Sequence, residues 1–216
     1  DEICTLVGHS NWITDVHFSP DGNQIASVSW DNLVILWDVR SGMSICEFKE
    51  HKRKINACCF SHDGDYLATA SWDCTVKIWE TRGENNRSIR TILCGEKPLN
   101  DISFSPDDKE IIAASWDGTV KFVDISEYGK YSVESVDGHS KSVKAIEYSP
   151  TGKHFVTGSL DKTVILWDAQ ARKPITTLSK HGKPVTSVSY SKEGDYLSSA
   201  SLDGTVKVWD ANLGSE

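Results

Sequence analysis

Ser29-Trp30-Asp31, the apolar run Leu33-Val34-Ile35-Leu36 and the closing pair Trp37-Asp38 constrain this chain more than any other stretch, because the pattern returns four more times. Its versions run from Ser71-Trp72-Asp73 to Trp79-Glu80, from Ser115-Trp116-Asp117 to Val123-Asp124, from Ser159-Leu160-Asp161 to Trp167-Asp168, and from Ser201-Leu202-Asp203 to Trp209-Asp210. From one closing acid to the next the spacing is 42, 44, 44 and 42 residues. A period of that size marks an array of supersecondary units. Each is too small to bury both of its faces alone, so neighbours must stack.

Within a unit the order is constant. Gly8-His9 leads into Ile13–Phe18, apolar at Ile13, Val16 and Phe18, which meets a turn at Ser19-Pro20-Asp21-Gly22. Ile25–Ser29 is a second strand of mostly small residues, Asp31-Asn32 a tight turn, and Leu33–Trp37 a third strand of β-branched and aromatic types. Arg40-Ser41-Gly42 turns the chain into a fourth strand, Ser44–Phe48. The fold class is therefore all-β, with four short antiparallel strands per repeat over 8–48, 50–92, 94–136, 138–178 and 180–216. Residues 1–7 match Met43–Lys49, which predicts that they form the last strand of a preceding or of the final unit. The fifth unit closes at Trp209-Asp210, where a fourth strand should follow.

The opening pairs Gly8-His9 and Gly138-His139 and the closing pairs Trp37-Asp38, Trp167-Asp168 and Trp209-Asp210 carry a resemblance to WD-repeat β-propellers over essentially all 216 residues. His51 and His181 keep the His without the Gly, and Glu80 replaces Asp after Trp79. The resemblance implies five four-stranded blades forming an open part of a larger propeller, with a closed five-bladed ring as the alternative. It also implies a buried hydrogen-bond chain in each blade. By position its members are His9, Ser29, Asp31 and Trp37; His51, Ser71, Asp73 and Trp79; His139, Ser159, Asp161 and Trp167; and His181, Ser201, Asp203 and Trp209. The third repeat has Gly95 and Val123 in place of His and Trp and keeps only Ser115 and Asp117, so its blade is expected to open most easily.

For function, the resemblance implies a non-catalytic protein-protein interaction scaffold that takes a peptide or protein on the channel face. Its contact positions lie just before the turn Asp, held here by Trp30, Trp72, Trp116, Leu160 and Leu202, and at the third and fifth residues after the His. The latter are Trp12 and Thr14, Lys54 and Asn56, Ser142 and Lys144, and Pro184 and Thr186, with Pro98 and Asn100 in the irregular repeat. The partner-binding set is accordingly Trp12, Trp30, Trp72, Trp116, Lys54, Asn56 and Lys144, since Trp is enriched in binding hot spots. Trp37-Asp38-Val39-Arg40 and Trp79-Glu80-Thr81-Arg82 are similar to a motif of WD-repeat substrate receptors, which offers Arg40 and Arg82 as adaptor contacts of a cullin-type ubiquitin ligase. A regulatory region of a larger signalling ATPase is a further alternative.

Other classes are disfavoured. Ser, His and Asp together invite a hydrolase reading, but four copies at fixed spacing, with no nucleophile elbow, fit a structural role. No Gly-rich phosphate loop or zinc-protease motif is present, so no cofactor is expected. The six cysteines form no Cys-x-x-Cys pair and read as free thiols in a reducing compartment, and a zinc site of His51, Cys58 and His62 fits no known ligand spacing. Net charge of −8 weighs against nucleic acid. No run approaches the roughly 18 residues that span a bilayer, so no membrane is expected, and the chain is expected in the cytoplasm or nucleus; a small-molecule ligand is not expected either. Asn86-Arg87-Ser88 is a glycosylation sequon in form only.

Overall fold

A computed structural model describes residues 2–82, 87–126 and 130–212, so Asn86 of the sequon lies outside the described residues. Alternating apolar residues and turn signals every few positions yield 19 short strands and, among the described residues, no helix. Blade one comprises β1 (Ile13–Phe18), β2 (Gln24–Ser29), β3 (Val34–Asp38) and β4 (Ser44–Phe48). Blade two comprises β5 (Ile55–Phe60), β6 (Tyr66–Ser71), β7 (Thr75–Glu80) and β8 (Ser88–Leu93). Blade three has β9 (Leu99–Phe104), β10 (Glu110–Ser115), β11 (Thr119–Asp124) and β12 (Ser132–Asp137). Blade four has β13 (Val143–Tyr148), β14 (His154–Ser159), β15 (Val164–Asp168) and β16 (Lys173–Leu178). Blade five has β17 (Val185–Tyr190), β18 (Tyr196–Ser201) and β19 (Val206–Asp210).

Each sheet is an antiparallel meander in chain order, four-stranded in the first four blades and three-stranded in the fifth. The predicted strands of blade one match the observed ones to within a residue. Residues 2–9 carry no strand. A single extended segment makes a ladder only when a partner strand is hydrogen-bonded to it. Cys4 and Leu6 instead lie beside the Gly42 turn, where a Cβ on Gly42 would stand 3.6 Å from each side chain.

The chain divides into two compact units, 1–99 and 100–216. In the first, Ala26, Val28, Val34 and Leu36 of blade one pack on Ile55, Cys58, Phe60 and Leu67 of blade two. In the second, Ile112, Ala114, Val120 and Phe122 meet Val143, Ile146, Tyr148 and Phe155, and Val156, Val164 and Leu166 meet Val185, Val188 and Leu197. Apolar residues of the second and third strands thus cover the alternating apolar face of the first strand in the following blade. That contact is the core.

A polar chain runs through four blades. In blade two His51 Nδ1 lies 2.8 Å from Asp73 Oδ2, His51 Nε2 lies 2.7 Å from Thr69 Oγ1, and Trp79 Nε1 donates to the same Oγ1 at 3.0 Å. The sets His9–Asp31–Ser27–Trp37, His139–Asp161–Thr157–Trp167 and His181–Asp203–Ser199–Trp209 repeat this geometry. The hydroxyl joining His to Trp is therefore Ser27, Thr69, Thr157 or Ser199, which corrects the assignment to Ser29, Ser71, Ser159 and Ser201. Those serines sit two residues on, where their Oγ accepts the N–H of the turn Asp: Asp31, Asp73, Asp161 and Asp203. After each of these Asp residues, and after Asp117, the chain enters the left-handed region, at Asn32, Cys74, Gly118, Lys162 and Gly204.

Blade three lacks all three partners at once, with Gly95, Ala113 and Val123 at the His, hydroxyl and Trp positions. Its Asp117 is nonetheless paired. Lys121, nearly buried on β11, places Nζ 3.0 Å from Asp117 Oδ2 and 3.0 Å from Ser135 Oγ. Burial pushes the Asp117 carboxyl up, but hydrogen bonds from Thr119 and Lys121 outweigh it and hold the group at about 2. An ammonium stands in for the imidazole at Asp117, although the His and Trp bonds of the other blades have no counterpart here.

In the other blades, a neutral imidazole with its proton on Nδ1 satisfies every member: Trp donates to the hydroxyl, the hydroxyl to Nε2, and Nδ1 to the carboxylate. Burial holds His51 and His139 below the ordinary imidazole value, against the opposing pull of Asp73 and Asp161. Lys77 adds to the lowering at His51, while Glu50 opposes it. The unfolded chain therefore takes up protons at these positions from about pH 6.5 downward while the folded chain does not. Their contribution is complete above that pH and is lost as pH falls towards the folded values, whereas Asp73 and Asp161, held low, act only at still lower pH. The urea midpoint at pH 5.5 is expected to fall below that at pH 7.5, and equal midpoints would contradict this.

Candidate functional site

The contact positions read from the sequence are paired by the main chain itself. The N–H just before the turn Asp donates to the carbonyl of the third residue after the His: Trp30 to Trp12 at 3.0 Å, Trp72 to Lys54 at 2.9 Å, Leu160 to Ser142 at 3.0 Å and Leu202 to Pro184 at 2.9 Å. Two positions far apart in sequence therefore stand side by side on one end of each of these four blades.

In the first unit this puts three indoles and a cation together. The Trp12 and Trp30 rings lie 4.8 Å apart, tilted by 31°. Lys54 reaches from blade two across to blade one, with Nζ 3.5 Å from the Trp30 ring centroid and 5.2 Å from that of Trp72. Trp12 is 70% exposed, while Trp30 and Trp72 are partly buried. The buried Nε1–H of Trp30 has no hydrogen-bond acceptor among the described residues. Lys52 and Arg53, both exposed, precede Lys54 in the same loop. Sequence reasoning singled out Lys54 alone, although the run Lys52-Arg53-Lys54 is visible in an acidic chain.

The remaining candidates divide. Trp116, in the second unit, is 45% exposed. Asn56 is spent within the fold: its Nδ2 donates to Leu99 O at 2.8 Å. Thr14 bonds Ile55 O at 2.7 Å, and Asn100 bonds Val143 O at 2.6 Å, so this fifth position ties one blade to the first strand of the next. Lys144 is half-buried with Nζ 3.2 Å from Asn100 Oδ1, and burial lowers its pKa. Asn56 and Lys144 thus tie one blade to the next. Arg82 pairs with Asp65 at 2.9 Å and reaches the Asp63 carbonyl, whereas Arg40 is exposed and its charge, after the hydrogen bonds from Ser41, helps to lower the Asp38 carboxyl. The Ser-His-Asp resemblance to a triad is spent structurally, because each hydroxyl on the imidazole is buried and bonded to an indole.

The family model described as "WD domain, G-beta repeat" matches residues 1–38, 42–80, 86–124, 130–168 and 172–210. Among curated proteins the chain is similar to ribosome assembly protein 4 of Chaetomium thermophilum, 49% identical over 43 residues, 20% of this chain and 8% of that protein. Ribosome assembly protein 4 of Saccharomyces cerevisiae is 46% identical over 46 residues, 21% of this chain and 9% of that one. Small ribosomal subunit protein RACK1 of Drosophila melanogaster is 51% identical over 37 residues, 17% and 12% of the two chains. Each of these matches spans about one repeat and no more than 12% of the relative's length.

Proposed function

Because this chain belongs to the WD domain, G-beta repeat family, we propose that it is a non-catalytic interaction module whose partner, a peptide or a protein segment, docks on the face formed by Trp12, Trp30, Lys54 and Trp72. One observation carries the reading. The Lys54 ammonium lies within reach of the Trp30 and Trp72 rings, Trp12 packs on Trp30, and the Trp12 ring is largely open to solvent. Exposed clusters of large apolar side chains are uncommon on soluble chains, and Trp is among the residues that most often dominate binding energy. The names of the relatives, two ribosome assembly proteins and a ribosomal subunit protein, support a place within a multi-subunit assembly of the cytoplasm or nucleus.

The test is a quantitative pull-down from cell lysate comparing wild type with a Trp12→Ala, Trp72→Ala variant whose strand signal and urea midpoint show it folded. At least one captured partner is expected to be lost, since truncating a hot-spot residue costs about 2 kcal/mol or more, roughly 30-fold in affinity. Capture of every partner at unchanged yield would refute the proposal and turn attention to exposed Arg40.

A further inference from the structure

We infer that the segment docking on this face is an acidic peptide in which an aromatic or aliphatic side chain lies on Trp12 and a nearby Asp or Glu carboxylate pairs with Lys54. The inference rests on the function proposed above and deepens it. Its first support is the state of Lys54. The ammonium sits over the Trp30 ring, and among the described residues it makes no hydrogen bond and no ion pair. That is unusual in a chain with 31 acidic and 23 basic residues. The acids of the flanking turns are already engaged, Asp31 by His9 and the Ser10 amide, and Asp73 by His51 and the Lys52 amide. A cation held on an indole keeps most of its capacity for an anion, because the ring face offers no localised negative charge.

Charge and shape then narrow the class. Lys52 and Arg53, both exposed, add two positive charges beside Lys54, so the local field is basic while the whole chain is at −8. One or two carboxylates on a short peptide feel chiefly the charges within a Debye length of about 8 Å. A long polyanion such as single-stranded nucleic acid, which would also stack on the indoles, has to cross the repulsion of the whole surface. A cationic ligand is disfavoured for a different reason, since Lys54 already occupies the Trp30 face and its charge, with those of Lys52 and Arg53, repels a second cation. The open Trp12 ring next to this cation supplies the apolar half of the site.

The experiment displays random 12-residue peptides to the immobilised 216-residue chain and sequences those retained by wild type, by Trp12→Ala and by Lys54→Gln. The two variants change solvent-facing or half-exposed groups, and Gln preserves most of the aliphatic stem. Wild type is expected to enrich peptides with an aromatic or aliphatic residue within three positions of Asp or Glu. One such synthetic peptide should lose about tenfold in affinity on Lys54→Gln, and its binding should weaken as salt is raised. If wild type enriches nothing beyond Trp12→Ala, the proposed face itself fails. If enrichment depends on Trp12 but the pool has no acidic excess, or Lys54→Gln binds equally well, only the acidic inference is overturned. An oligothymidylate of 12 nucleotides that binds more tightly than the best peptide overturns it in favour of nucleic acid.

Discussion

Thr157→Val is expected to destabilise the chain by about 2–5 kcal/mol although the two side chains have nearly the same shape. Thr157 is fully buried. Its Oγ1 accepts the Trp167 indole N–H at 2.8 Å and lies 2.7 Å from His139 Nε2. Replacing the hydroxyl by a methyl leaves a buried donor and a buried acceptor with nothing to bond. Each such loss costs roughly 1–3 kcal/mol, more than the bond itself contributes. Thr157→Ser is the control, since it keeps the hydroxyl, as Ser27 and Ser199 do naturally, and should cost only about 1 kcal/mol for the lost methyl. Urea denaturation of the three proteins checks the order. A Val variant as stable as the Ser variant would mean that the hydroxyl does not bridge the ring pair.

That prediction concerns a residue the sequence reading placed two positions away. Ser27 and Ser29 project from the same side of a strand, so periodicity cannot choose between them. The third repeat could have decided the matter. It keeps Ser115 but has Ala113, and the hydroxyl is lost in the one repeat that also lacks His and Trp. Groups that depend on one another were lost together. The blades themselves were legible because tight turns such as Ser19-Pro20-Asp21-Gly22 and β-branched runs specify local geometry, and that geometry repeats. The stacking of Lys54 on Trp30 was not, because it depends on a long side chain reaching from one blade to the next, and nothing in local spacing fixes that reach. The same limit hid the role of Asn56 and Lys144, whose partners are Leu99 and Asn100, each more than 40 residues away. Lys121 was hidden for another reason: on β11 it reads as a solvated strand lysine, and only the absence of a His above Asp117 gives its ammonium a structural use.

Phe18 and Phe60 hold the same place in successive repeats and read identically in sequence, yet they should respond very differently to charge. Phe60 is 9% exposed and belongs to the cluster formed with Val34 and Leu36 of the blade before it, whereas Phe18 is 63% exposed, as are its strand neighbours Ile13 and Val16 in large part. Phe60→Asp removes a buried aromatic side chain, a loss of about 1.5–3 kcal/mol, and leaves an unpaired carboxylate against an apolar face, which raises the total to roughly 4 kcal/mol or more. Phe18→Asp exchanges exposed groups and should cost about 1 kcal/mol, chiefly through the poor strand propensity of Asp. Urea midpoints of the two variants in the 216-residue chain give the comparison directly. The apolar row of β1 is chemically the surface that blade one itself covers on β5 in the next repeat. If Phe18→Asp proves as damaging as Phe60→Asp, that row is occupied in solution, and a concentration-dependent midpoint would identify the occupant as a second copy of the chain. If it is nearly neutral, the row is free, and the packing of each blade on its predecessor, rather than the sheet of any one blade, is what makes Phe60 costly to replace.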